Sequence, residues 1–313
     1  SLPWMTGTAV NPLLRAVYLE RRKEHHQVSL VIPWVSGEDQ GKIFGGITFQ
    51  DQEQQATWVR WWVKRYLGYS THIRILFYHG AYMPEFGSIF PTGDVTASVA
   101  EGERDVAILE EPEHLTWTHL GAKWCDVFNY VVGVVHTNYI NYVLNDHQSP
   151  LPLRPVRALV IGTLNDWCCR AYCHRVIKLS DAVPSFPNSI TCNIHGVRNN
   201  FIDIGVQKIR SSIFGYPRFS KGVYFIGKAL WSKGYRQLLN NLKEYRRKKG
   251  VNLEIDVYGS GPDSALIKEE VQREGLAWSF CGPVDHAAPA IHDYKVMINP
   301  SLSDVVCTTT AEA

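Results

Sequence analysis

The pattern of apolar and polar residues predicts a chain in which short strands alternate with helices. Unbroken apolar runs, such as residues 131–135 and 223–226, are typical of strands buried on both faces of a parallel sheet. The stretch that opens at residues 231–234 and ends at residues 246–250 instead carries Leu238, Leu239, Leu242 and Tyr245 on one helical face, and residues 155–172 are predicted to form a long buried helix. We predict strands at residues 28–34, 73–78, 106–109, 131–135, 176–179, 190–194, 223–226, 253–257, 279–282 and 296–298. This alternation indicates an α/β fold.

Two segments interrupt the alternation and divide the chain. Residues 36–56 are polar and rich in Gly and Gln, which predicts a loop or an inserted segment. Residues 198–220 carry Gly, Pro, Ser and Arg without helical periodicity, which predicts a linker. We therefore expect a Rossmann-like N-terminal domain at residues 1–197 and an incomplete C-terminal one at residues 221–313, with both chain ends truncated. In this interpretation two doubly wound parallel sheets face each other across a cleft.

The last stretch of the chain is predicted to join a strand to a helix at a ligand site. The apolar run at residues 296–298 stops at a loop, and Thr309 and Glu312 have the spacing of a capping box at a helix start. The carboxyl end of a strand then meets the amino end of a helix, which is where α/β sheets bind ligands. Asp304 and Glu312 bracket this point, so both could bind one polyhydroxylated ligand. The alternative is that Glu312 only caps the helix and Asp304 is a solvated loop acid.

Two lysines and a glycine-rich turn are predicted to form a second part of the same site. Lys228 and Lys233 flank the junction between a strand and a helix, where two cations and a helix start favour a diphosphate. Gly259 and Gly261 lie in a tight turn that would let the backbone approach the same ligand. The chain has no Asp-x-Asp pair to hold a divalent ion and no P-loop motif. We therefore predict a metal-free nucleotide-sugar site in which the lysines replace the ion.

Two candidate groups lie in the first half of the chain. His136 follows the predicted strand at residues 131–135 and precedes three hydrogen-bonding residues, which favours a site role over a structural one. The turn at Thr6, Gly7 and Thr8 precedes a helix that we expect to begin at Asn11-Pro12. Backbone N–H groups of such a turn can approach a phosphate or an acceptor, although an ordinary turn would have the same sequence.

The helix predicted at residues 57–67 carries more aromatic residues than a core helix needs. Its core stripe is expected at Val59, Trp62, Val63, Tyr66 and Leu67. Trp58 and Trp61 lie off this stripe, beside Arg60, Lys64 and Arg65. Tryptophan interleaved with cations suits the headgroup layer of an anionic membrane. The equal alternative is a core helix whose additional tryptophans contact a neighbouring loop.

Composition excludes several classes of protein. With 45% apolar and 20% charged residues, the chain has the composition of a soluble globular protein. A net charge of +2 argues against a nucleic-acid partner recognised through bulk charge. The seven cysteines include the adjacent Cys168 and Cys169, which argues against a disulfide framework. Cys169, Cys173 and His174 could suggest zinc, but no second pair of ligands follows, so reduced buried thiols are the better interpretation.

Three motifs in the second half of the chain resemble the donor site of retaining glycosyltransferases with the GT-B fold. They are Gly227-Lys228-x4-Lys233-Gly234, Gly259-Ser-Gly-Pro and Asp304-x7-Glu312. The superfamily usually has Gly-Arg-x4-Lys-Gly and Glu-x7-Glu, so Lys228 replaces an Arg and Asp304 replaces a Glu. Both replacements keep the charge, although Lys cannot bind a phosphate with two nitrogens. His195-Gly196 stands where the superfamily has Asn-Gly.

Other segments resemble, more specifically, the digalactosyldiacylglycerol synthases of plants and algae. They are residues 1–9, 109–117, 135–139 and 304–312. The resemblance implies transfer of galactose from UDP-galactose to monogalactosyldiacylglycerol with retention of configuration. It also implies a peripheral protein of the chloroplast outer envelope, whose partners are the galactolipid acceptor and an anionic membrane surface. UDP-galactose is then the substrate, and no metal or other cofactor is implied.

The resemblance also implies a role for each candidate residue. Lys228 and Lys233 would hold the donor diphosphate, and Glu312 would bind the donor ribose. Asp304 and His136 would contact the galactose. In retaining members the leaving phosphate is thought to take the proton of the acceptor, so no general base is assigned.

Two alternatives remain open at this point. The residues alone do not distinguish galactose from glucose, so a related lipid glycosyltransferase could use another sugar nucleotide such as UDP-glucose. A non-catalytic lipid-binding or sugar-binding module is the second alternative. The lysines and carboxylates argue against it, because a binding module has no leaving group to stabilise.

Overall fold

The computed structural model of the chain describes residues 2–22, 27–144, 150–192, 197, 199–214, 219–301 and 304–313. The strands are β1 (Ser29–Trp34), β2 (Arg74–Met83), β3 (Ser88–Pro91), β4 (Val106–Glu110), β5 (Tyr130–Val135), β6 (Arg175–Lys178), β7 (Ser189–Thr191), β8 (Lys221–Ile226), β9 (Ile255–Tyr258), β10 (Trp278–Gly282) and β11 (Tyr294–Met297). The helices are α1 (Gly7–Arg21), α2 (Gly37–Ile43), α3 (Gln52–Leu67), α4 (Pro112–Thr116), α5 (Trp124–Val127), α6 (Tyr139–Leu144), α7 (Arg154–Tyr172), α8 (Asn199–Ile213), α9 (Tyr235–Lys249), α10 (Ser264–Arg273) and α11 (Thr308–Glu312). The predicted α/β class is confirmed.

The chain divides into two compact units. The first comprises residues 1–137 and 156–193, and the second comprises residues 138–155 and 194–313. The segment 138–155 thus interrupts the first unit in sequence but groups with the second. No break in composition marks this exchange, and the sequence did not predict it.

The first unit contains two sheets. In the smaller one, β1 and β2 are parallel and β3 pairs with β2 in an antiparallel hairpin that was not predicted. In the larger one, β4, β5, β6 and β7 lie side by side and are all parallel. Apolar side chains of α1 and α3 pack against β1 and β2 and form a buried core: Leu13, Val17, Ile32, Val59, Trp62, Val63 and Ile73. Burial of these faces drives the helices onto the sheet.

The apolar stripe predicted for α3 is confirmed at its centre. Val59, Trp62 and Val63 are buried. Tyr66, which the same stripe included, is 44% exposed, whereas Leu67 is partly buried and packs against the core. The helix begins earlier than predicted because the Asp51 carboxylate accepts a hydrogen bond from the backbone N–H of Gln54 at 2.8 Å and caps it there.

The prediction of a loop over residues 36–56 is wrong, because α2 and the first turn of α3 lie within it. The Ser36 hydroxyl caps α2 by accepting from the backbone N–H of Asp39 at 3.1 Å. Gln40 is fully buried, and its side chain accepts a hydrogen bond from the backbone N–H of Phe49 at 2.7 Å. A buried polar residue holds this segment in place, and apolar patterning does not detect it.

Two other helices differ from their predictions. Helix α1 begins at Gly7 rather than at Asn11, so Pro12 lies inside it. Pro12 lacks one backbone donor, which costs a hydrogen bond without ending the helix. The prediction that residues 155–172 form a buried helix is wrong in its burial, since four apolar residues of α7 are more than half exposed: Val156, Leu159, Val160 and Trp167. Among the described residues, none of the helices has the length and apolar character needed to cross a membrane.

The second unit is built on one parallel sheet with the strand order β10-β9-β8-β11. Helices α9 and α10 cover it with apolar side chains that form its core: Phe225, Leu238, Leu239, Leu242, Ile255, Val257, Ile267 and Val271. Strand β11 is parallel as predicted, but it lies at the sheet edge and its Val296 is 49% exposed. Because the strands are parallel, the loops after β8, β9 and β11 leave the sheet at the same edge.

The segment predicted as a linker, residues 198–220, carries helix α8. Its apolar residues recur at helical spacing: Ile202, Val206, Ile209 and Ile213. Phe201 at its start is buried within the second unit. The statement that this segment lacks helical periodicity is therefore wrong.

The cysteines are free thiols. Cys168, Cys169 and Cys173 are buried, as predicted, and burial raises the pKa of Cys173 to about 12. Cys281 is exposed, so the prediction of buried thiols does not extend to it. In the described part of the chain, no three His, Cys, Asp or Glu side chains are grouped so that they could hold a metal ion.

Candidate functional site

The loops that follow β8 and β9 are joined through their backbones. The N–H of Gly227 donates to the carbonyl of Tyr258 at 3.0 Å, and the N–H of Ala229 donates to the carbonyl of Ser260 at 3.0 Å. The N–H of Asp263 returns a hydrogen bond to the carbonyl of Ala229 at 3.1 Å. These contacts fix the two glycine-containing loops against each other at the carboxyl edge of the sheet.

Three glycines are required by this packing. Gly259 has a φ of +132°, and a Cβ there would lie 1.9 Å from the carbonyl oxygen of Gly227. A Cβ on Gly261 would lie 2.5 Å from the carbonyl oxygen of Ala229. Gly234 has a φ of +87°, and its Cβ would lie 2.0 Å from the carbonyl oxygen of Pro300, in the loop after β11. The glycines therefore serve backbone contact between loops, and the predicted ligand role of Gly259 and Gly261 stays a prediction.

Lys233 and Asp304 form an ion pair at this edge. Lys233 ends a short 3-10 turn before α9, and its Nζ lies 2.5 Å from Oδ1 of Asp304. Both side chains are mostly buried, at 23% and 21% exposure. Burial works to lower the pKa of Lys233, but the nearby Tyr142 hydroxyl and the Asp304 carboxylate outweigh it and raise that pKa. The structure thus brings together two predicted site residues and adds Tyr142, which the sequence did not single out.

Lys228 differs from Lys233 in its surroundings. Its side chain is exposed at the start of the loop after β8 and forms no ion pair within the described ranges. An exposed ammonium group can bind an incoming anion without first leaving a carboxylate. Lys228 is therefore the more accessible of the two predicted diphosphate lysines.

Glu312 lies in α11, which begins at Thr308 rather than at Thr309. The residue before the helix, Cys307, makes no side-chain capping hydrogen bond, so the predicted capping box is wrong. The Glu312 carboxylate instead lies 3.0 Å from Nδ1 of His286, a residue that follows β10. Glu312 and Asp304 both belong to the second unit, as predicted. His286 was missed, because a contact across 26 residues leaves no local signal.

His136, in the first unit, is hydrogen bonded to Glu110, which is bonded in turn to Arg15. Its Nε2 is hydrogen bonded to the carboxylate of Glu110, and the Arg15 Nε donates to the other oxygen of Glu110 at 2.5 Å. Glu110 ends β4 and His136 follows β5, so parallel neighbours bring the two side chains to one edge. Burial works to raise the pKa of Glu110, but the contacts with His136 and Arg15 lower it overall. Glu110 is therefore an ionised partner that orients His136.

A second pair lies beside this cluster. Glu111 has a φ of +58°, and the Thr137 hydroxyl donates to its carboxylate. A left-handed backbone is unusual for a residue other than Gly and marks a local constraint. The turn after β4 is thus tied to the turn after β5 by two side-chain contacts.

The turn predicted as a phosphate or acceptor loop forms the start of α1. Thr6 precedes the helix without a side-chain capping hydrogen bond, and its hydroxyl lies 3.1 Å from that of Thr8. Gly7 and Thr8 are exposed. The role of Thr6, Gly7 and Thr8 stays a prediction. His195 and Gly196, which the superfamily resemblance singled out, lie outside the described residues.

Helix α3 supports both interpretations of its tryptophans in part. The Trp58 ring is partly buried and contacts Phe49 in the preceding loop, with ring centroids 6.4 Å apart. Trp61 is 52% exposed, and Lys64 and Arg65 on the next turn are exposed as well. Arg60 forms an ion pair with Glu53 at 3.1 Å. Trp61 is thus the tryptophan that remains accessible for a membrane surface.

One protein family has a sequence model that matches part of the chain. The model described as "Glycosyl transferases group 1" matches residues 220–313. These residues contain both lysines, both glycines and both carboxylates of the site in the second unit. The predicted donor motifs therefore lie within the matched segment.

Curated relatives match the whole chain. Digalactosyldiacylglycerol synthase 2, chloroplastic, of Arabidopsis thaliana is 45% identical, with 100% of this chain and 65% of the relative covered. Digalactosyldiacylglycerol synthase 1, chloroplastic, of the same plant is 43% identical, with 100% of this chain and 38% of the relative covered. A Lotus japonicus digalactosyldiacylglycerol synthase 2, chloroplastic, is 42% identical and is covered to 66%. The chain thus spans between 38% and 66% of the length of these relatives.

Among solved structures, Anabaena Alr3699/HepE in complex with UDP aligns with 82% of this chain and 70% of its own chain. The sequence identity is 11% and the TM-score is 0.40.

Proposed function

We propose that the protein transfers galactose from UDP-galactose to monogalactosyldiacylglycerol, because its sequence belongs with those of the digalactosyldiacylglycerol synthases. The product is digalactosyldiacylglycerol, with the configuration of the donor retained. The observation that carries the proposal is the 41–45% identity to these enzymes over the whole chain. The proposal concerns the complete protein, because the chain spans 38% to 66% of the relatives' length.

The residues of the second unit suit the donor side of this reaction. The bond between galactose C1 and the β-phosphate oxygen breaks, and UDP leaves with the electron pair. A new bond joins C1 to the acceptor oxygen, whose proton passes to the leaving phosphate, so no residue is needed as general base. Lys233 and Lys228 stabilise the negative charge that grows on the diphosphate. In this account they take the place of a metal ion.

The carboxylates bind hydroxyl groups of the donor. Asp304 contacts the galactose, together with His136, and Glu312 binds the ribose. The ion pair between Lys233 and Asp304 supports this division, because it places a hydrogen-bond acceptor for a sugar directly beside a cation for a phosphate.

The acceptor is a galactolipid, and we place the protein peripherally on the chloroplast outer envelope. The support for this placement is that the relatives are named chloroplastic. Trp61, Lys64 and Arg65 form an exposed aromatic and cationic surface on α3, which suits contact with an anionic headgroup layer.

The proposal is tested with the full-length protein, isotope-labelled UDP-galactose and liposomes that contain monogalactosyldiacylglycerol, in the presence of a chelator. We expect a digalactosyl lipid by mass spectrometry and an α-linkage to the new galactose by NMR. Product from UDP-glucose alone would replace the proposed donor, and a β-linkage would exclude retention. Absence of product from every sugar nucleotide would favour a binding module.

A further inference from the structure

Glu312 is one end of a chain of three hydrogen-bonded side chains in the second unit. Its Oε2 lies 3.0 Å from Nδ1 of His286. The opposite ring nitrogen of His286, Nε2, lies 2.9 Å from the hydroxyl of Tyr224. One imidazole ring therefore connects a strand tyrosine to the carboxylate on α11.

The donors and acceptors of this chain follow from its chemistry. An ionised carboxylate only accepts hydrogen bonds, so Nδ1 of His286 is protonated and donates a hydrogen bond to Glu312. In the neutral ring Nε2 is then an acceptor, and the Tyr224 hydroxyl donates to it. Every member thus has a defined direction, which fixes one orientation of the His286 ring.

The chain is anchored in the interior of the unit. Tyr224 lies on β8, which has strands on both sides, and it is buried together with Tyr258, Ile291 and Tyr294. The Tyr224 and Tyr294 ring centroids are 4.8 Å apart. His286 is buried and also contacts the ring of Phe201, at a centroid distance of 5.5 Å. Packing on both sides holds the imidazole in place.

Glu312 lies in α11, and its carboxylate reaches His286, which lies 26 positions earlier in the sequence. A glutamate side chain has three rotatable bonds, and ordering it costs conformational entropy on ligand binding. A hydrogen bond from a buried imidazole orders it beforehand.

We propose that His286 is a positioning residue, which holds the Glu312 carboxylate in the orientation that binds the donor ribose and is itself fixed by Tyr224. This inference rests on the proposed function, in which Glu312 binds the ribose of UDP-galactose. Its consequence lies in donor affinity, because His286 does not contact the reacting atoms. Loss of His286 therefore raises the KM for UDP-galactose and the Kd for UDP more than it lowers kcat.

The test uses the full-length protein and two substitutions of His286. His286→Phe keeps an aromatic ring but removes both nitrogens, so KM for UDP-galactose rises by about tenfold, the effect of losing a hydrogen bond to a charged group. His286→Asn keeps an N–H donor near the position of Nδ1 and retains affinity within about threefold of the unchanged protein. A merely structural role predicts that the smaller Asn side chain is the worse replacement.

Tyr224→Phe and Tyr258→Phe form a matched pair on neighbouring strands. Tyr224→Phe removes the hydroxyl that fixes His286 and raises the Kd for UDP. The Tyr258 hydroxyl lies 2.9 Å from that of Tyr294, outside the chain of contacts to Glu312. Tyr258→Phe therefore leaves the Kd unchanged, and an equal effect of both substitutions would contradict the inference.

A double-mutant cycle separates action through Glu312 from independent effects. In a Glu312→Gln background, His286→Phe adds less than about a twofold further rise in the Kd for UDP, since the group it positions is already altered. Multiplicative losses would overturn the inference. If the protein binds UDP but transfers no galactose, the proposed function fails and the Kd values alone decide the role of His286. If the unchanged protein binds no UDP, both fail.

Discussion

Burial and charge conflict most strongly at Glu113, a residue in the first turn of α4. Its side chain is fully buried, and neither carboxyl oxygen has a hydrogen-bond partner among the residues that the structure describes. Burial, and secondarily the charge of Glu111, raises the pKa of Glu113 to about 8. At neutral pH the folded chain therefore holds Glu113 in its neutral, protonated form.

Glu113 should make the stability of the fold depend on pH. The unfolded carboxyl has a pKa of about 4.3, so between that value and about 8 the folded state keeps a proton that the unfolded chain releases. The contribution is fully present below the lower pKa and is lost as pH rises, by about 1.4 kcal/mol per pH unit. We expect Glu113→Gln to remove this slope in urea unfolding measured across that window.

The matched control is Glu101→Gln, at an exposed position of the same unit. This substitution should leave the slope as it is. An unchanged slope in Glu113→Gln would show that Glu113 does not carry the proton.

Gly259 is a second residue whose identity the fold requires. Its φ of +132° and a Cβ only 1.9 Å from the Gly227 carbonyl oxygen exclude any other side chain without movement of both loops. We expect Gly259→Ala to lower the free energy of unfolding by about 2–4 kcal/mol. Gly222→Ala, where a Cβ meets open space, should cost much less. Equal urea midpoints for the two variants would contradict the proposed loop packing.

At the scale of elements, unbroken apolar runs predicted the strands well, whereas elements held in place by buried polar residues were missed. Strand β5 was predicted at 131–135 and spans Tyr130–Val135, because its burial on both faces leaves an unbroken apolar signal. Helix α2 was missed although Ser36 caps it, since Gln40 rather than an apolar face fixes it. Helix α8 was not predicted because the segment also contains Gly, Ser and Arg, although its apolar residues recur at helical spacing.

The candidate site was predictable in outline for a related reason. Parallel strands deliver their following loops to one edge, so Lys233 and Asp304 could be placed at one site from topology alone. Their direct ion pair joins residues 71 positions apart and depends on side-chain packing that no local pattern encodes. The contacts of Glu110 with His136 and of His286 with Glu312 were missed on the same ground.

Helix α3 yields a prediction that separates its two tryptophans. Trp61→Ala should weaken binding to liposomes that contain anionic lipid, because this exposed ring lies beside Lys64 and Arg65. Trp58→Ala should instead lower stability and leave liposome binding intact, because the Trp58 ring packs against the core. Cosedimentation and urea unfolding of both variants measure the two effects. Unchanged cosedimentation of Trp61→Ala would exclude α3 as the membrane surface.

At the scale of the whole molecule, each unit places charged groups after the carboxyl ends of parallel strands. The first unit contributes His136, oriented by Glu110 and Arg15. The second contributes the pair of Lys233 and Asp304. In each unit the charged groups thus lie at the carboxyl edge of that unit's own parallel sheet. The facing cleft predicted between the units stays a prediction.

In the proposed function, Lys233 stabilises the leaving diphosphate without a metal ion. The most direct measurement compares galactose transfer by the full-length protein and by its Lys233→Ala variant, with UDP-galactose, galactolipid liposomes and a chelator. Lys243→Ala is the matched control, since Lys243 is a partly exposed lysine of α9 that pairs with Glu274. We expect metal-free transfer that falls by at least about 100-fold in Lys233→Ala and is unchanged in Lys243→Ala. Transfer that requires added metal, or that survives the loss of Lys233, would contradict the claim.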